Sequence, residues 1–329
     1  MKTLFKVLGL VLLVVVALAA IAVSYLALKK PAQRPPAAEK IEATPERLAH
    51  GKYLAHHVSM CIGCHSEHTL AYSLPSRPGR EGVAGLVWDD DMDFPGTLAA
   101  ANITPDRDTG LGNWTDGEIL RAIREGVDRN GKALFPIMPY GNYRHMSDED
   151  AKSIVAYLRT LEPRRYEKPK KSLDPPMNFI EKFIPQPITE TVSAPAPSDN
   201  LAYGKYLVTI GVCAECHTPK DDKGQPLPGM ELAGGFEMKG PGVHVFSANI
   251  TPHPSTYMGR ATKEEFIGRF RAFANYTGEN APPAPKGRNT IMPWIAYAGL
   301  TDQDLGAIYD YLKTVPPVEN KVNVFPQAP

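Results

Sequence analysis

The chain has 329 residues, of which 43% are hydrophobic and 22% charged, and its 36 basic side chains equal its 36 acidic ones. This balance gives no reason to expect a nucleic-acid partner or a strongly acidic surface. The composition is that of soluble domains placed behind an apolar N-terminal segment.

The first predicted element is an apolar helix. A short basic stretch, 1–6, precedes 22 almost entirely apolar residues, 7–28, and Lys29 and Lys30 follow. As a helix these residues cover ~33 Å, enough for the hydrocarbon core of a bilayer. The apolar region of a cleaved signal peptide is usually about 7–15 residues long, so the length favours an uncleaved signal anchor over residues 1–30. The alternative is cleavage after Ala17-Leu18-Ala19.

Proline-rich connectors divide the rest of the chain. Residues 31–44 are predicted to form an extended tether and residues 166–198 a connector between domains, with an irregular tail over 319–329. Four apolar side chains of the connector suggest that it packs across the domains. They are Phe179, Ile180, Phe183 and Ile184.

An internal repeat covers nearly the whole soluble chain and predicts two domains, 45–165 and 199–318. Five blocks recur in the same order in both copies. They are 48–54 with 201–207, 61–65 with 213–217, 101–105 with 248–252, 137–140 with 291–294, and 147–150 with 301–304.

Local signals within each copy predict helices joined by long loops. The opening helix carries Gly51 or Gly204, where a crossing helix can approach the backbone closely, and we expect Tyr157 and Tyr311 to press against these glycines. Short β-hairpins are expected in the two segments rich in Gly and Pro, 74–101 and 219–248. The N-terminal signals of the middle and closing helices are the capping boxes Thr115-x-x-Glu118 and Thr262-x-x-Glu265 and the N-caps Ser147 and Thr301.

Two pentapeptides contain all four cysteines of the chain. They are Cys61-Ile62-Gly63-Cys64-His65 and Cys213-Ala214-Glu215-Cys216-His217. C-x-x-C-H is the attachment sequence for a c-type haem, in which both thiols add to the vinyl groups and the histidine ligates iron. A redox pair does not need the histidine, and a zinc site would draw its ligands from both halves together. We therefore expect two covalently bound haem c groups. Because such haem is attached outside the bacterial cytoplasmic membrane, the body should be periplasmic.

Each copy offers one methionine in register as the second axial ligand, a ligand that favours ferrous iron. Met138 lies 73 residues after His65, and Met292 lies 75 residues after His217. Each precedes a proline, which keeps the segment out of a helix. The alternative is that both methionines fill the core. Met146 is the strongest local competitor, but it lies directly before an N-cap and is predicted to be a hydrophobic staple.

Other polar residues near the motifs have open roles. The remaining seven histidines do not recur at matching positions, so bis-histidine ligation at both haems is not expected, and His56 and His57 should face solvent or the haem rim. An Asn-x-Thr pair in each copy forms either a simple turn, or a contact to the haem propionates or to the loop under the ring. These pairs are Asn102 with Thr104 and Asn249 with Thr251.

With these motifs the chain resembles bacterial dihaem c-type cytochromes, close in pattern to the cytochrome subunits of membrane-bound alcohol and aldehyde dehydrogenases. The likeness is carried by the tract Asn102-Ile-Thr-Pro-Asp-x-x-Thr-Gly-Leu-Gly-x-Trp-Thr-Asp and by Met138-Pro-Tyr, and it extends over about residues 45–320. It implies a mainly α fold with two tandem class I cytochrome c domains and His/Met-ligated iron. Those dehydrogenase subunits typically hold three haem domains, whereas this chain has two motifs.

The expected function is electron transfer rather than catalysis on a substrate. The protein would be a single-pass, periplasm-facing electron carrier of the inner membrane, accepting electrons from a dehydrogenase subunit or a quinol-linked complex. It would pass them to a respiratory acceptor such as an oxidase or a soluble cytochrome. A dihaem peroxidase and a haem-based sensor are the alternatives. Both need a vacant or displaceable iron position, which the two methionines disfavour.

Overall fold

The computed structural model describes residues 2–240 and 242–327, and it is mainly helical with a few short antiparallel strands. It begins with α1, Lys2–Leu28, a helix without a buried residue. Within the described residues, α1 is the one helix that is long and apolar enough to cross a membrane, judged by length and composition.

The first copy and the connector supply the next elements. They are α2 Pro45–Tyr53, a π turn Leu54–Val58, α3 Cys61–Cys64, β1 Val87–Trp88, a 3-10 turn Asp90–Met92, β2 Gly96–Ala99, α4 Asp116–Glu125, α5 Tyr140–Tyr143, α6 Asp148–Leu158, β3 Ser172–Leu173, α7 Met177–Ile180 and a 3-10 turn Glu181–Phe183. Strands β1, β2 and β3 form an antiparallel sheet in that order.

The second copy repeats the plan. Its elements are α8 Asn200–Ile210, α9 Cys213–His217, β4 Glu237–Gly240, β5 Val243–Phe246, α10 Tyr257–Arg260, α11 Lys263–Arg271, α12 Trp294–Tyr297 and α13 Asp302–Leu312. β4 and β5 form an antiparallel hairpin. Hairpins were predicted in both of these loop regions, and both are present.

The opening and closing helices of each copy cross at a glycine. A Cβ atom on Gly51 would lie 1.8 Å from the carbonyl oxygen of Ser153 in α6, and one on Gly204 would lie 2.0 Å from a carbonyl oxygen of α13. Only glycine permits so close an approach. The Cβ atoms of Tyr157 and Tyr311 lie 2.9 Å from the same two positions, which confirms the predicted contacts.

The predicted helix starts are also confirmed. Thr115 and Thr262 form complete capping boxes at α4 and α11. Ser147 and Thr301 accept hydrogen bonds from the third residue of α6 and α13. These side chains satisfy backbone N–H groups that have no partner within the helix.

The two copies differ by one residue between the opening helix and the motif. Tyr53 precedes Cys61 by eight positions, whereas Tyr206 precedes Cys213 by seven. The first copy takes up the extra residue in the π turn, where the N–H of Ser59 donates across five residues, at 2.8 Å, to the turn's first carbonyl. In the second copy α8 stays α-helical.

A reciprocal pair of tyrosines joins the copies. Each hydroxyl donates to a carboxylate in the first turn of the other copy's closing helix and accepts from the N–H of that helix's N-cap. The two sets are Tyr53 with Asp304 and Thr301, and Tyr206 with Asp150 and Ser147. The buried apolar residues of both copies also form one contiguous cluster. This exchange of equivalent contacts relates the copies by an approximate two-fold axis.

The segment before α2 is extended and contacts the first copy at several points. Arg34 forms a 2.7 Å ion pair with Glu125 of α4, and the N–H of Ile41 donates to Asp116 at 2.9 Å. The connector is partly packed, because Ile188 is buried and the carbonyl of Val192 accepts from the N–H of Asp148 at 2.9 Å. Three of the four side chains that suggested this packing, Ile180, Phe183 and Ile184, are nevertheless exposed.

Candidate haem-attachment sites

Both cysteine motifs begin after a residue with left-handed backbone. Met60 has a φ of 54° and Val212 a φ of 52°, and each is the N-cap of the motif helix, α3 or α9. This conformation is costly for a large or β-branched side chain and tends to persist where function requires it. All four cysteines are free thiols rather than disulfides, so each remains available for attachment.

The two motif histidines are held in the same way. Nδ1 of His65 lies 2.7 Å from the carbonyl oxygen of Ala101, and Nδ1 of His217 lies 2.7 Å from that of Ala248. A carbonyl can only accept, so Nδ1 carries the proton and Nε2 keeps its lone pair. Burial lowers the pKa of both rings and favours the neutral form. A neutral imidazole oriented by a carbonyl is the usual state of a histidine that ligates a metal.

The Asn-x-Thr pairs order the loops that carry these two carbonyls. The side-chain oxygen of Asn102 accepts from the N–H and hydroxyl of Thr104, at 3.0 and 2.8 Å. Asn249 does the same with Thr251, at 2.9 and 2.8 Å. Each asparagine NH₂ group donates to a carbonyl in the segment after the closing helix. These bonds order the loop that carries each carbonyl.

The two methionines in register occupy matching places. Met138 lies two residues before α5 and Met292 two residues before α12, and both side chains are partly buried against the common core. Met146 has no exposed surface, as predicted for a staple. Met146 therefore packs in the apolar core of the first copy.

A tyrosine in each copy joins the methionine loop to the cysteine motif, and neither tyrosine was predicted. The Tyr143 hydroxyl donates to the carbonyl of Ser59 at 2.5 Å, and the Tyr297 hydroxyl donates to that of Gly211 at 3.0 Å. Each acceptor lies two residues before the first cysteine. Both tyrosines follow their methionine by five positions, so the repeat register contained the signal.

The two motifs approach each other across the interface. A Cβ atom on Gly211 would lie 3.5 Å from the carbonyl oxygen of Val58, just ahead of the first motif. Burial raises the pKa of the Cys64 thiol to about 11, and the neighbouring Cys216 thiol contributes to the rise. The two cysteine motifs therefore lie on adjoining surfaces of the two copies.

A loop of the first copy holds the methionine loop of the second. The Ser73 hydroxyl donates to the carbonyl of Met292 at 2.8 Å, and the Ser73 N–H donates to the Asn289 side chain at 3.1 Å. The N–H of Met292 donates to the Thr290 hydroxyl at 3.0 Å. By contrast, the backbone of Met138 bonds within its own loop.

Most of the other histidines are engaged with protein groups. His56 and His57, expected at the solvent or the haem rim, are half-buried in the π turn. The hydrogen-bonded pairs are His50 with Asp150, His56 with Tyr157, His57 with Ala296, His68 with Leu74, His244 with Glu237 and His253 with Ser255. Over residues 2–240 and 242–327, no three His, Cys, Asp or Glu side chains converge as a metal-binding group.

Known proteins share this pattern. A family model described as cytochrome c matches residues 201–316. A dihaem c-type cytochrome of Cereibacter sphaeroides is 31% identical over 275 residues, which cover 79% of this chain and 83% of that protein.

Two further relatives are cytochrome subunits of dehydrogenases. The gluconate 2-dehydrogenase cytochrome c subunit of Pantoea cypripedii is 29% identical over 303 residues, 87% of this chain and 63% of that subunit. The fructose dehydrogenase cytochrome subunit of Gluconobacter japonicus is 28% identical over 294 residues, 85% of this chain and 56% of that subunit. The chain thus spans less than two thirds of the length of either subunit.

Proposed function

This chain belongs to the cytochrome c family, and from that premise we propose that it is a membrane-anchored, periplasmic dihaem electron carrier. It accepts electrons from a dehydrogenase or a quinol-linked donor and passes them to a respiratory acceptor. The observation that carries the proposal is the repeated histidine geometry. In both copies a C-x-x-C-H helix presents a histidine with Nδ1 fixed by a loop carbonyl and Nε2 free.

Each copy contains a full set of residues to hold one haem c. Two cysteines would form the thioether bonds, and a histidine and a methionine would ligate the iron. The sets are Cys61, Cys64, His65 and Met138, and Cys213, Cys216, His217 and Met292. The bound haem supplies a reversible one-electron change. The protein supplies orientation, a thioether that favours the ferrous state, and exclusion of water.

A dehydrogenase is the favoured donor because the relatives of the chain include cytochrome subunits of gluconate and fructose dehydrogenases. The adjoining attachment sites support transfer from one haem to the other within the chain. The apolar helix α1 supports anchoring in the inner membrane, with both haem-binding copies on the periplasmic side.

Haem stoichiometry and ligation test the proposal. The intact protein after acid–acetone extraction should exceed the polypeptide mass by two haem groups, because thioether bonds survive this treatment. The reduced protein should bind no carbon monoxide, because a histidine and a methionine would ligate each iron and leave no vacant position. Extraction of the haem into the organic phase would overturn covalent attachment. Binding of carbon monoxide would instead favour the peroxidase or the sensor.

Replacing residues 1–30 by a cleavable secretion signal tests the anchor. The product should be soluble, periplasmic and fully loaded with haem, since both copies lie outside the replaced segment. Its reduction by a soluble donor should persist, whereas electron flow to a membrane-bound partner should fall. Wild-type protein recovered free of membranes with a new N-terminus near Ala20 would show that α1 is a signal peptide.

A further inference from the structure

Three large apolar side chains of the connector are exposed together. Ile180, Phe183 and Ile184 expose 45%, 48% and 39% of their surface, and they lie on α7 and the turn that follows it. We call these three residues the apolar foot. Isolated exposed apolar residues are normal in soluble proteins, whereas exposed apolar side chains grouped together are typical of an interaction surface.

The foot is held in place by the first copy. Glu181, between its members, is buried and forms an ion pair with Lys171. Lys171 also donates to the carbonyl of Ala133 at 3.4 Å. Glu181 is thus directed inward, whereas the three apolar side chains of the foot are directed outward.

The turn that carries the foot also contacts the end of α1. The Lys182 ammonium group donates to the carbonyls of Leu26 and Ala27, both at 2.9 Å. These carbonyls belong to the last turn of α1, where no intrahelical donors remain. The connector therefore caps the helix that is proposed to span the membrane.

Lys29 lies between a ring of α1 and a ring of the foot, which shows where the foot lies along α1. The Lys29 ammonium group lies 5.5 Å from the ring centre of Phe183 and 5.9 Å from that of Tyr25. Phe183 is thus level with the last turn of the apolar helix. In a spanning helix this is the boundary between hydrocarbon and headgroups, where aromatic side chains and lysines are enriched.

We propose that the apolar foot inserts into the outer leaflet beside α1, so that its partner is the lipid bilayer itself. The inference rests on the proposed membrane anchoring of α1. An apolar face at this level would enter the headgroup–acyl boundary, with Lys29 and Lys182 among the phosphates. Attachment at two points would hold the first copy in one orientation on the membrane, instead of leaving it free to rotate about a single helix.

Lipid crosslinking tests the foot in the full-length, haem-loaded protein. The protein is placed in vesicles of phosphatidylethanolamine and phosphatidylglycerol that contain a lipid with a diazirine in its upper acyl chain. After illumination, mass spectrometry locates the labelled peptides. We expect label in α1 and in residues 177–184.

A triple variant that removes the foot and a double variant that serves as its control test whether the label depends on the foot. In Ile180→Ser/Phe183→Ser/Ile184→Ser, label in residues 177–184 should fall to background while label in α1 persists. The control Leu201→Ser/Leu227→Ser removes two side chains that are also exposed, by 49% and 39%, and should leave both signals unchanged.

The outcomes separate the two proposals. Label in α1 without label in residues 177–184 of the wild type would overturn the foot and leave the anchor intact. Absence of label from α1 would overturn the proposed anchor. The wild-type pattern decides both questions even if the triple variant fails to fold, and haem absorbance reports whether it has folded.

Discussion

In the proposed function, each iron is ligated by the side-chain sulfur of one methionine. Met138→Ala and Met292→Ala should each abolish the methionine–iron charge-transfer absorption of one haem, because each removes one proposed ligand. The absorption of the other haem should persist, because its copy is unchanged. Each should also lower the potential of that haem by on the order of 100 mV, a fraction of the ~0.8 V that axial ligands span. Spectra and redox titrations of the ferric and ferrous protein measure both effects.

Met146→Leu is the matched control for these variants, because Met146 is fully buried next to an N-cap. It should leave both absorption bands in place. Loss of a band in Met146→Leu, with the band retained in Met138→Ala, would contradict the assignment of the ligand in the first copy.

Ser73 provides a second test at the residue scale. Ser73→Ala removes the hydrogen bond from the first copy to the carbonyl of Met292, a bond worth about 0.5–1.5 kcal/mol. The methionine loop of the second copy should loosen, weakening the charge-transfer band and lowering the potential of that haem alone. Ser76→Ala, in the same loop, is the control. A change confined to the haem of the first copy would contradict the contact.

The residues that the sequence predicts are those whose side chains act alone or locally. Two C-x-x-C-H motifs and two methionines in register predict the candidate ligands. The bonds from His65 and His217 to loop carbonyls were not predictable, because every residue carries a carbonyl and only the fold selects which one comes near. Tyr143 and Tyr297 stood in register and were predictable, but each lies outside the blocks of high similarity.

At the scale of elements, the π turn is where the copies differ, and it carries a histidine suited to a pH test. Burial, followed by the charges of His57 and Lys52, lowers the pKa of His56 to about 4. The unfolded chain, with a histidine pKa of about 6.5, therefore binds more protons between those two values. The free energy of unfolding should fall as the pH drops through this window, by on the order of 1–3 kcal/mol from this residue.

His56→Gln should remove the part of the acid destabilisation that comes from this residue. The free energy of unfolding, measured in denaturant at pH 7, 5.5 and 4, should therefore fall less in the variant than in wild type. His50→Gln is a control with the opposite sign. The hydrogen bond to Asp150 raises the pKa of His50, so its contribution is fully present below pH ~6.5 and is lost as the pH rises through the raised value. If the free energy of unfolding depended on pH equally in His56→Gln and wild type, the lowered pKa of His56 would be contradicted.

Elements were predictable where their signals are local. The capping boxes at Thr115 and Thr262 are complete within four residues, and the crossing glycines recur in register. The π turn was only half predictable. The sequence contains the extra residue between Tyr53 and Cys61, but any loop or helix end in that interval could have absorbed it.

At the scale of the whole molecule, the sequence predicts two copies but not how they meet. Tyr53 and Tyr206 recur at matching positions, which is equally consistent with contacts inside each copy. In the folded protein the contacts are between copies, because each tyrosine side chain reaches the closing helix of the other copy, where Asp150 and Asp304 are buried. One apolar cluster then extends through both copies.

The reciprocal tyrosines yield the last prediction. Tyr53→Phe and Tyr206→Phe each take a donor from a buried carboxylate and an acceptor from the N–H of an N-cap. Each should therefore lower the free energy of unfolding by about 1–3 kcal/mol. Tyr257→Phe, which removes an exposed bond to Glu265 within the second copy, should cost less. Because the two copies share one core, both haems should report a single unfolding transition in wild type. Two separate transitions, one for each haem, would contradict a shared core.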